Sequence, residues 1–192
     1  MWFTENGRDF YSHDWPPDEI NVVTEEKQDF GFPYVYGNQS VDKEVTLPPS
    51  FNIDDYKPAS YELEPHAAAL GMTFYTGNMF PQKYRNGFFV AEHGNRKKTK
   101  KKNILHNKKK KKKLGSWNSI VLRGYKIGFA SLSPNKKEIT SYETFVGGLT
   151  RKVGDKEVGC VRPVDIIQMD DGSLLFSDDY SNRIFRIYYN EI

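Results

Sequence analysis

Cysteine is nearly absent from this sequence, and long apolar runs are absent altogether. Cys160 stands alone, which excludes an internal disulfide and any metal site built from a cysteine cluster. No stretch approaches the roughly 18 apolar residues of a membrane helix, and no charged-then-apolar signal peptide opens the chain. These absences leave the cellular compartment open. The 192 residues, 15% of them aromatic, suffice for one ordinary domain with a core.

The net charge of +3 conceals two parts of opposite charge. Residues 95–114 read NRKKTKKKNILHNKKKKKKL and hold twelve cations, and the rest of the chain has 16 basic and 25 acidic residues, a net charge of −9. We interpret this basic block as a disordered, inserted loop, or a translated non-coding stretch, since like charges at this density repel one another. A nuclear-localisation signal or nucleic-acid tether is the alternative, but no aromatic residues stand among the lysines to stack on bases.

Outside the basic block the sequence favours strands and shows no convincing helix. Short segments rich in β-branched and aromatic residues are separated by Gly, Pro, Asn and Asp, as in all-β proteins. Asp171-Gly172 is a strong signal for a two-residue hairpin turn. The predicted strands are 20–23, 70–76, 88–92, 125–132, 139–146, 164–169, 174–177 and 184–189.

An internal repeat suggests which all-β architecture this is. Residues 2–7, 89–94 and 175–180 share one layout of two large apolar residues, a small residue, an acid and a polar residue. A hairpin that recurs with polar residues at one strand end is typical of propeller blades, whose strand ends meet near the central channel. At 40–50 residues a blade, the chain without its basic block makes about three to four blades.

The first copy of the repeat has no preceding strand to pair with. We therefore expect residues 1–192 to be the C-terminal part of a longer propeller, with the basic block 95–114 inserted in it. A small complete sandwich that begins with an edge strand is the alternative.

Several longer motifs carry a resemblance to one family. The first 34 residues contain, in order, the end of a strand, a turn, an acidic pair, a second strand and an aromatic Gly-Pro corner. Together with the later motifs they resemble the soluble quinoprotein glucose/sorbosone dehydrogenases, particularly the branch of the pyranose dehydrogenases that depend on pyrroloquinoline quinone (PQQ). The motifs are residues 2–9, 16–21, 29–34, 65–66, 71–77, 93–94, 116–118 and 162–165.

The resemblance implies a six-bladed β-propeller that oxidises a sugar C–OH group by hydride transfer to PQQ. It implies Ca²⁺ beside the quinone, a sugar substrate and an electron acceptor as partners, and usually a secreted or periplasmic location. The chemistry is consistent, since carboxylates of the quinone need cationic partners and calcium prefers hard oxygen ligands. The family's catalytic base is a histidine on an earlier blade, so the resemblance assigns no catalytic residue here and implies that the chain alone is inactive.

The resemblance assigns five site residues. Gly7 and Arg8 match a turn whose main-chain carbonyls bind calcium, although an ordinary Asn-Gly turn is the alternative. Arg162 matches an arginine that binds a cofactor carboxylate, with a surface ion pair as the alternative. His93 and His66 match positions of cofactor contact, although a lone histidine is often structural.

Two further questions remain open from the sequence. Asp18 and Glu19 could serve as general acid and base or as calcium ligands, or they could brace the turn. The basic block splits the run from His93 to Asn118 and places about twenty residues beside the expected cofactor site. Besides a dehydrogenase fragment, the sequence therefore allows a non-enzymatic propeller-like binding module or a protein that binds nucleic acid through its lysines.

Overall fold

The computed structural model describes residues 1–9, 11–95 and 121–190, and this part of the protein is built of β-structure. Its only helices are single 3-10 turns at Ile53–Asp55 and Gln82–Tyr84. The predicted all-β class is confirmed. The strands are β1 (Trp2–Glu5), β2 (Glu19–Val22), β3 (Val35–Tyr36), β4 (Ser40–Val41), β5 (Tyr61–Glu62), β6 (Ala69–Phe74), β7 (Phe88–Glu92), β8 (Lys126–Leu132), β9 (Ile139–Val146), β10 (Thr150–Val153), β11 (Lys156–Gly159), β12 (Pro163–Gln168), β13 (Leu174–Asp178) and β14 (Arg183–Ile187).

The strands form three principal antiparallel sheets and two small hairpins. The first sheet has the order β1-β2-β5, the second β6-β7-β8-β9 and the third β12-β13-β14, while β3–β4 and β10–β11 pair by themselves. Strand β6 contacts β1 on one side and β12 on the other. Successive antiparallel sheets that adjoin in this way are neighbouring blades of a propeller. The prediction of a partial β-propeller is confirmed, with three sheets of the blade type in the described residues.

Alternate side chains of β7 hold the three sheets together. Phe88 and Val90 belong to a buried cluster shared with the first sheet, and Phe89 and Ala91 belong to one shared with the third. All five residues of β7 are buried as a result. Side chains of a strand alternate between its two faces, so a sheet with apolar residues at successive positions can be covered on both sides.

Each copy of the repeat read from the sequence falls on a strand of a different sheet. Its three copies begin on β1, β7 and β13, the strands that deliver the equivalent acids Glu5, Glu92 and Asp178 to the strand ends. Trp2 packs against Phe88 of the next sheet, with ring centroids 5.3 Å apart. Thr4 donates a hydrogen bond of 2.6 Å from its hydroxyl to the Leu70 carbonyl.

The hairpin of β12 and β13 has a turn one residue longer than the sequence predicts. A two-residue turn was expected at Asp171-Gly172, but the Met169 amide donates to the Ser173 carbonyl at 2.8 Å, which leaves three residues in the loop. Gly172 has φ +84°, the left-handed conformation that such a loop requires at its last position. Strands β3, β4, β5, β10 and β11 were not predicted.

Phe89 offers a test of the packing between the second and third sheets. Its side chain is fully buried among Tyr75, Phe129 and Phe145. We expect Phe89→Ala to lower the free energy of unfolding by about 3–5 kcal/mol, because it leaves a cavity where the sheets meet. Urea titration followed by tryptophan fluorescence measures this.

The matched control is Val153→Ala on the β10–β11 hairpin, where the valine is 53% exposed. It should change the free energy of unfolding by no more than about 0.5 kcal/mol. Equal losses in the two variants would contradict the described packing.

Candidate functional site

The polar ends of the strands meet at one end of the three sheets. Gly7 follows β1, His93 and Gly94 follow β7, and Arg162 precedes β12. In the second sheet Ala69 pairs with Glu92, and in the third Pro163 pairs with Asp178, so the loops before β6 and β12 lie at this same end. We call this end the loop face. It carries all five residues that the resemblance assigns to a site.

Main-chain hydrogen bonds join the loops of the second sheet. The His93 amide donates to the Ala68 carbonyl at 3.0 Å, and the Gly94 amide donates to the Ala67 carbonyl at 2.7 Å. The loop that contains His66 is therefore fixed against the loop that contains His93.

Asp18 connects the first sheet to the second. One carboxylate oxygen accepts the Gly7 amide at 3.0 Å, and the other accepts the Ala69 amide at 3.1 Å. Burial raises the pKa of Asp18 to about 7, in spite of these two donors. Of the roles that the sequence left open for Asp18, this geometry matches that of a brace. Glu19 likewise accepts the Gly37 amide, at 2.5 Å.

Arg162 connects the second sheet to the third. Its Nε donates to the His93 carbonyl at 3.3 Å, its Nη2 donates to the Gly94 carbonyl, and its guanidinium lies 5.6 Å from the ring centroid of Tyr125. The residue is only 7% exposed. No carboxylate in the described part of the chain lies within 4 Å of its guanidinium nitrogens, so its ion pair at the surface, the alternative from sequence, is not found there.

His93 contacts a carboxylate, which the sequence did not predict. Its Nε2 lies 2.9 Å from a carboxylate oxygen of Asp179, in the loop after β13. The carboxylate can only accept, so Nε2 carries the proton. Asp179 directly follows Asp178, the acid of the third copy of the repeat. This position in the repeat was the sequence signal that could have indicated a polar contact. The contact ties the second and third sheets together a second time.

His66 is buried below the loop that follows β1. Its Nε2 donates to the Ser12 carbonyl at 2.8 Å, which leaves Nδ1 as an acceptor without a hydrogen-bond partner. Burial lowers the pKa of His66, so the ring is neutral at pH 7. A neutral imidazole cannot serve as the cationic partner of a carboxylate. The assignment of His66 to cofactor contact stays a prediction.

Gly7 and Arg8 are held in place by neighbouring residues of the loop face. A Cβ on Gly7 would lie 2.5 Å from the Pro17 carbonyl oxygen, so the turn requires glycine. The Arg8 guanidinium contacts Asp42 at 2.5 Å and Glu44 at 3.0 Å. Neither main-chain carbonyl accepts a hydrogen bond from another residue in the described ranges.

The basic block lies outside the described residues apart from Asn95, so its disorder stays a prediction, and nucleic-acid binding stays the alternative. Trp117 and Asn118 lie outside them too. The side-chain amide of Asn95 donates to the Val121 carbonyl at 2.9 Å, and its main-chain N–H donates to the Arg123 carbonyl at 3.2 Å. The described residues on either side of 96–120 are thus held together.

Carboxyl groups concentrate between the first and second sheets. Burial, with the nearby Glu19 and Asp18, raises the pKa of Glu5 to about 7. Burial also raises the pKa of Glu92, whose Oε1 accepts the Tyr142 hydroxyl at 2.8 Å. Even so, the residues that the structure describes include no group of three His, Cys, Asp or Glu side chains that could hold a metal ion. They also include no helix long and apolar enough to cross a membrane.

No protein-family model matches this sequence. An uncharacterized protein of Borreliella burgdorferi (strain ATCC 35210) is 38% identical over 192 residues, which is all of this chain but 44% of the relative. The chain thus spans less than half the length of the curated relative it matches.

Several solved structures share this fold. A calcium structure of the Trichoderma reesei carbohydrate-active enzyme of family AA12 matches with a TM-score of 0.63 and 16% identity, covering 96% of this chain and 47% of that one. A glucose dehydrogenase matches at 0.60 and 14%, covering 98% and 41%. The holo PQQ domain of Coprinopsis cinerea pyranose dehydrogenase matches at 0.58 and 18%, covering 96% and 49%. At such identities these likenesses show the fold.

Asp18 makes stability depend on pH in a stated direction. Its pKa in the folded protein lies above its ordinary value of 3.8, so its contribution to stability is complete below about pH 4 and is lost as the pH rises through 7. Asp18→Asn cannot ionise, and we expect it to flatten this part of the profile. Urea unfolding at intervals from pH 4 to 8 measures the difference between variant and wild type.

Asp155→Asn is the matched control, since Asp155 is exposed in the turn between β10 and β11. Its profile should follow that of the wild type. The account of Asp18 is wrong if the Asp18→Asn profile is as steep as the wild type's between pH 4 and 7.

Proposed function

We propose that this chain forms part of a PQQ-dependent sugar dehydrogenase and supplies one side of its cofactor site. The observation that carries the proposal is the buried guanidinium of Arg162, which has no carboxylate partner among the described residues and lies on the same loop face as His93 and Gly7. A buried charge ordinarily has a partner of opposite charge. An anionic ligand at the loop face would supply it.

The residues present fit PQQ in charge. The quinone bears carboxylates, and an arginine held in a fixed orientation binds a carboxylate with charge-assisted hydrogen bonds. The His93 and Gly94 carbonyls occupy Nε and Nη2, so Nη1 is the nitrogen left for a ligand. The contact between His93 Nε2 and Asp179 holds the His93 ring in a fixed orientation beside Arg162. The printed names of the solved neighbours, which include a PQQ domain and a glucose dehydrogenase, support this choice of cofactor and substrate class.

The residues also fit calcium, through oxygen atoms of the main chain. The Gly7 and Arg8 carbonyls are hard ligands without other hydrogen bonds among the described residues, which is the donor type that Ca²⁺ accepts. A carbonyl site explains why no cluster of acidic side chains is needed. Asp18 would act here as a positioning residue, because it holds the Gly7 amide and thereby the turn.

When bound, the quinone supplies the capacity to take a hydride from a sugar C–OH group, with Ca²⁺ polarising it. The residues of this chain would orient and neutralise the cofactor. We assign none of them to proton abstraction. Sugar oxidation, and passage of electrons to an acceptor, therefore belong to an assembly with further blades.

Binding of PQQ with Ca²⁺ tests the proposal. A ligand that binds only the folded state stabilises it by about 2.7 kcal/mol at a hundred times its Kd. For a protein of this size we expect a rise in Tm of roughly 5–10 °C. Arg162→Ala should abolish the rise, and Arg162→Lys should retain part of it because the charge remains.

Arg151→Ala is the control for charge, since Arg151 is an exposed arginine of β10. It should leave the rise unchanged. Circular dichroism shows whether each variant is folded. If saturating PQQ and Ca²⁺ do not shift the Tm of the folded wild type, the chain has no such site.

A further inference from the structure

A surface hollow adjoins the loop face beside the first sheet. It lies between the loop that follows β1 and the residues of β4, and its volume is about 420 Å³. We call it the aromatic hollow, and its lining residues are Tyr11, Trp15, Ser40, Val41 and Lys43. Arg8 connects it to the loop face, because the Arg8 guanidinium lies 5.3 Å from the ring centroid of Tyr11.

Two aromatic rings line the hollow side by side. The ring centroids of Tyr11 and Trp15 lie 4.4 Å apart, and the ring planes are tilted by 57°. Both residues are only half-buried, and neither belongs to the two buried apolar clusters that hold the sheets together. The two rings therefore present apolar surface to solvent outside the core.

The segment that carries Trp15 is fixed by its neighbours. The Ser12 hydroxyl donates to the Trp15 carbonyl at 3.1 Å, and the His66 ring donates to the Ser12 carbonyl at 2.8 Å. The Trp15 ring meets the buried Tyr36 ring edge-on, with centroids 5.3 Å apart. Binding to a side chain that is already held in position costs less conformational entropy, so this ring is suited to receive a ligand.

The polar atoms of the hollow are free to bind a ligand. The Trp15 indole nitrogen, the Tyr11 hydroxyl and the Lys43 ammonium group make no hydrogen bond with the rest of the described chain. An indole N–H and an ammonium group can only donate. A ligand that fits the hollow therefore has apolar faces for the rings and oxygen acceptors at its edge.

We propose that the aromatic hollow binds a pyranose ring of a saccharide. The C–H groups on the faces of a pyranose are polarised by the neighbouring oxygens, and the negative face of an aromatic ring attracts them. The hydroxyl oxygens around its edge accept hydrogen bonds. The hollow has the size of a small-molecule site, for which about 300–1,000 Å³ is typical. The proposal does not depend on PQQ or Ca²⁺, since none of the five lining residues belongs to the cofactor site proposed above.

Two other classes of ligand fit the hollow less well. A flat nucleobase is best held between parallel rings, whereas these rings are tilted by 57°. An organic cation is disfavoured because the Arg8 guanidinium already lies against Tyr11, and Lys43 adds a second positive charge. A neutral ring with many oxygen atoms meets neither obstacle.

The test is a titration of the ¹⁵N-labelled chain with cellobiose, without PQQ or Ca²⁺, followed through the indole N–H signals in NMR spectra. The chain has three tryptophans, and the signals lost in Trp15→Phe and Trp2→Phe identify two of them. We expect the Trp15 signal to shift with a Kd on the order of 1 mM. The Trp2 signal should stay in place, because that indole lies elsewhere and donates to the Lys136 carbonyl at 3.2 Å.

Two comparisons show whether the rings recognise a pyranose. Sorbitol carries similar hydroxyl groups without a ring, and we expect it to bind at least tenfold more weakly than cellobiose. Trp15→Ala should weaken cellobiose binding at least tenfold, as followed through the main-chain amide signals of Ser40 and Val41. Tyr188→Ala removes an aromatic residue that is 61% exposed outside the hollow, and it should leave the affinity unchanged.

Lys43→Ala provides a second variant, because Trp15→Ala also removes the contact with Tyr36. Lys43 is exposed, so its replacement leaves the fold intact. We expect it to weaken binding about threefold, as for one lost hydrogen bond.

Three results would overturn the proposal. One is an unshifted Trp15 signal in the folded wild type at cellobiose concentrations well above the expected Kd. Another is sorbitol binding as tight as that of cellobiose. The third is full affinity in both Trp15→Ala and Lys43→Ala. The Tm of the chain with PQQ and Ca²⁺ is a separate measurement, so failure of the cofactor site and failure of the aromatic hollow can be told apart.

Discussion

Apolar side chains that alternate between the two faces of the central strands hold this protein together. Phe88 and Val90 bind the second sheet to the first, and Phe89 and Ala91 bind it to the third. This packing of the sheets also determines the position of the candidate site. Because equivalent strands run in the same direction in each sheet, the packing brings their polar ends together at the loop face. The candidate site is a consequence of this packing.

Burial governs the chemistry of the loop face. Asp18 and Arg162 each bridge two sheets through main-chain groups, and within the described ranges neither is paired with a side chain of opposite charge. An acid in that position favours its neutral form, whereas a guanidinium keeps its charge at any ordinary pH. The loop face therefore retains the Arg162 cation near Asp18 and Glu5, two acids whose pKa values burial raises to about 7. This asymmetry is what makes an anionic ligand suitable there.

The sequence predicts the strands whose side chains alternate or repeat, and it misses those held by context. Strands 88–92 and 139–146 were predicted to the residue, because both are rich in β-branched or aromatic residues. The short pairs β3–β4 and β10–β11 carry no such pattern. Sequence also placed Gly7, His93 and Arg162 near strand ends. It could not show that Asp18 accepts amides from two sheets or that Asp179 reaches His93, since both contacts join residues far apart in the chain.

A crystal structure of the chain with PQQ and Ca²⁺, alone or completed by its further blades, tests the central claim most directly. The account predicts a carboxylate of the quinone within hydrogen-bond distance of Arg162 Nη1, and calcium bound by the Gly7 and Arg8 carbonyl oxygens. Quinone bound elsewhere, with Arg162 still contacting only the His93 and Gly94 carbonyls, would contradict it.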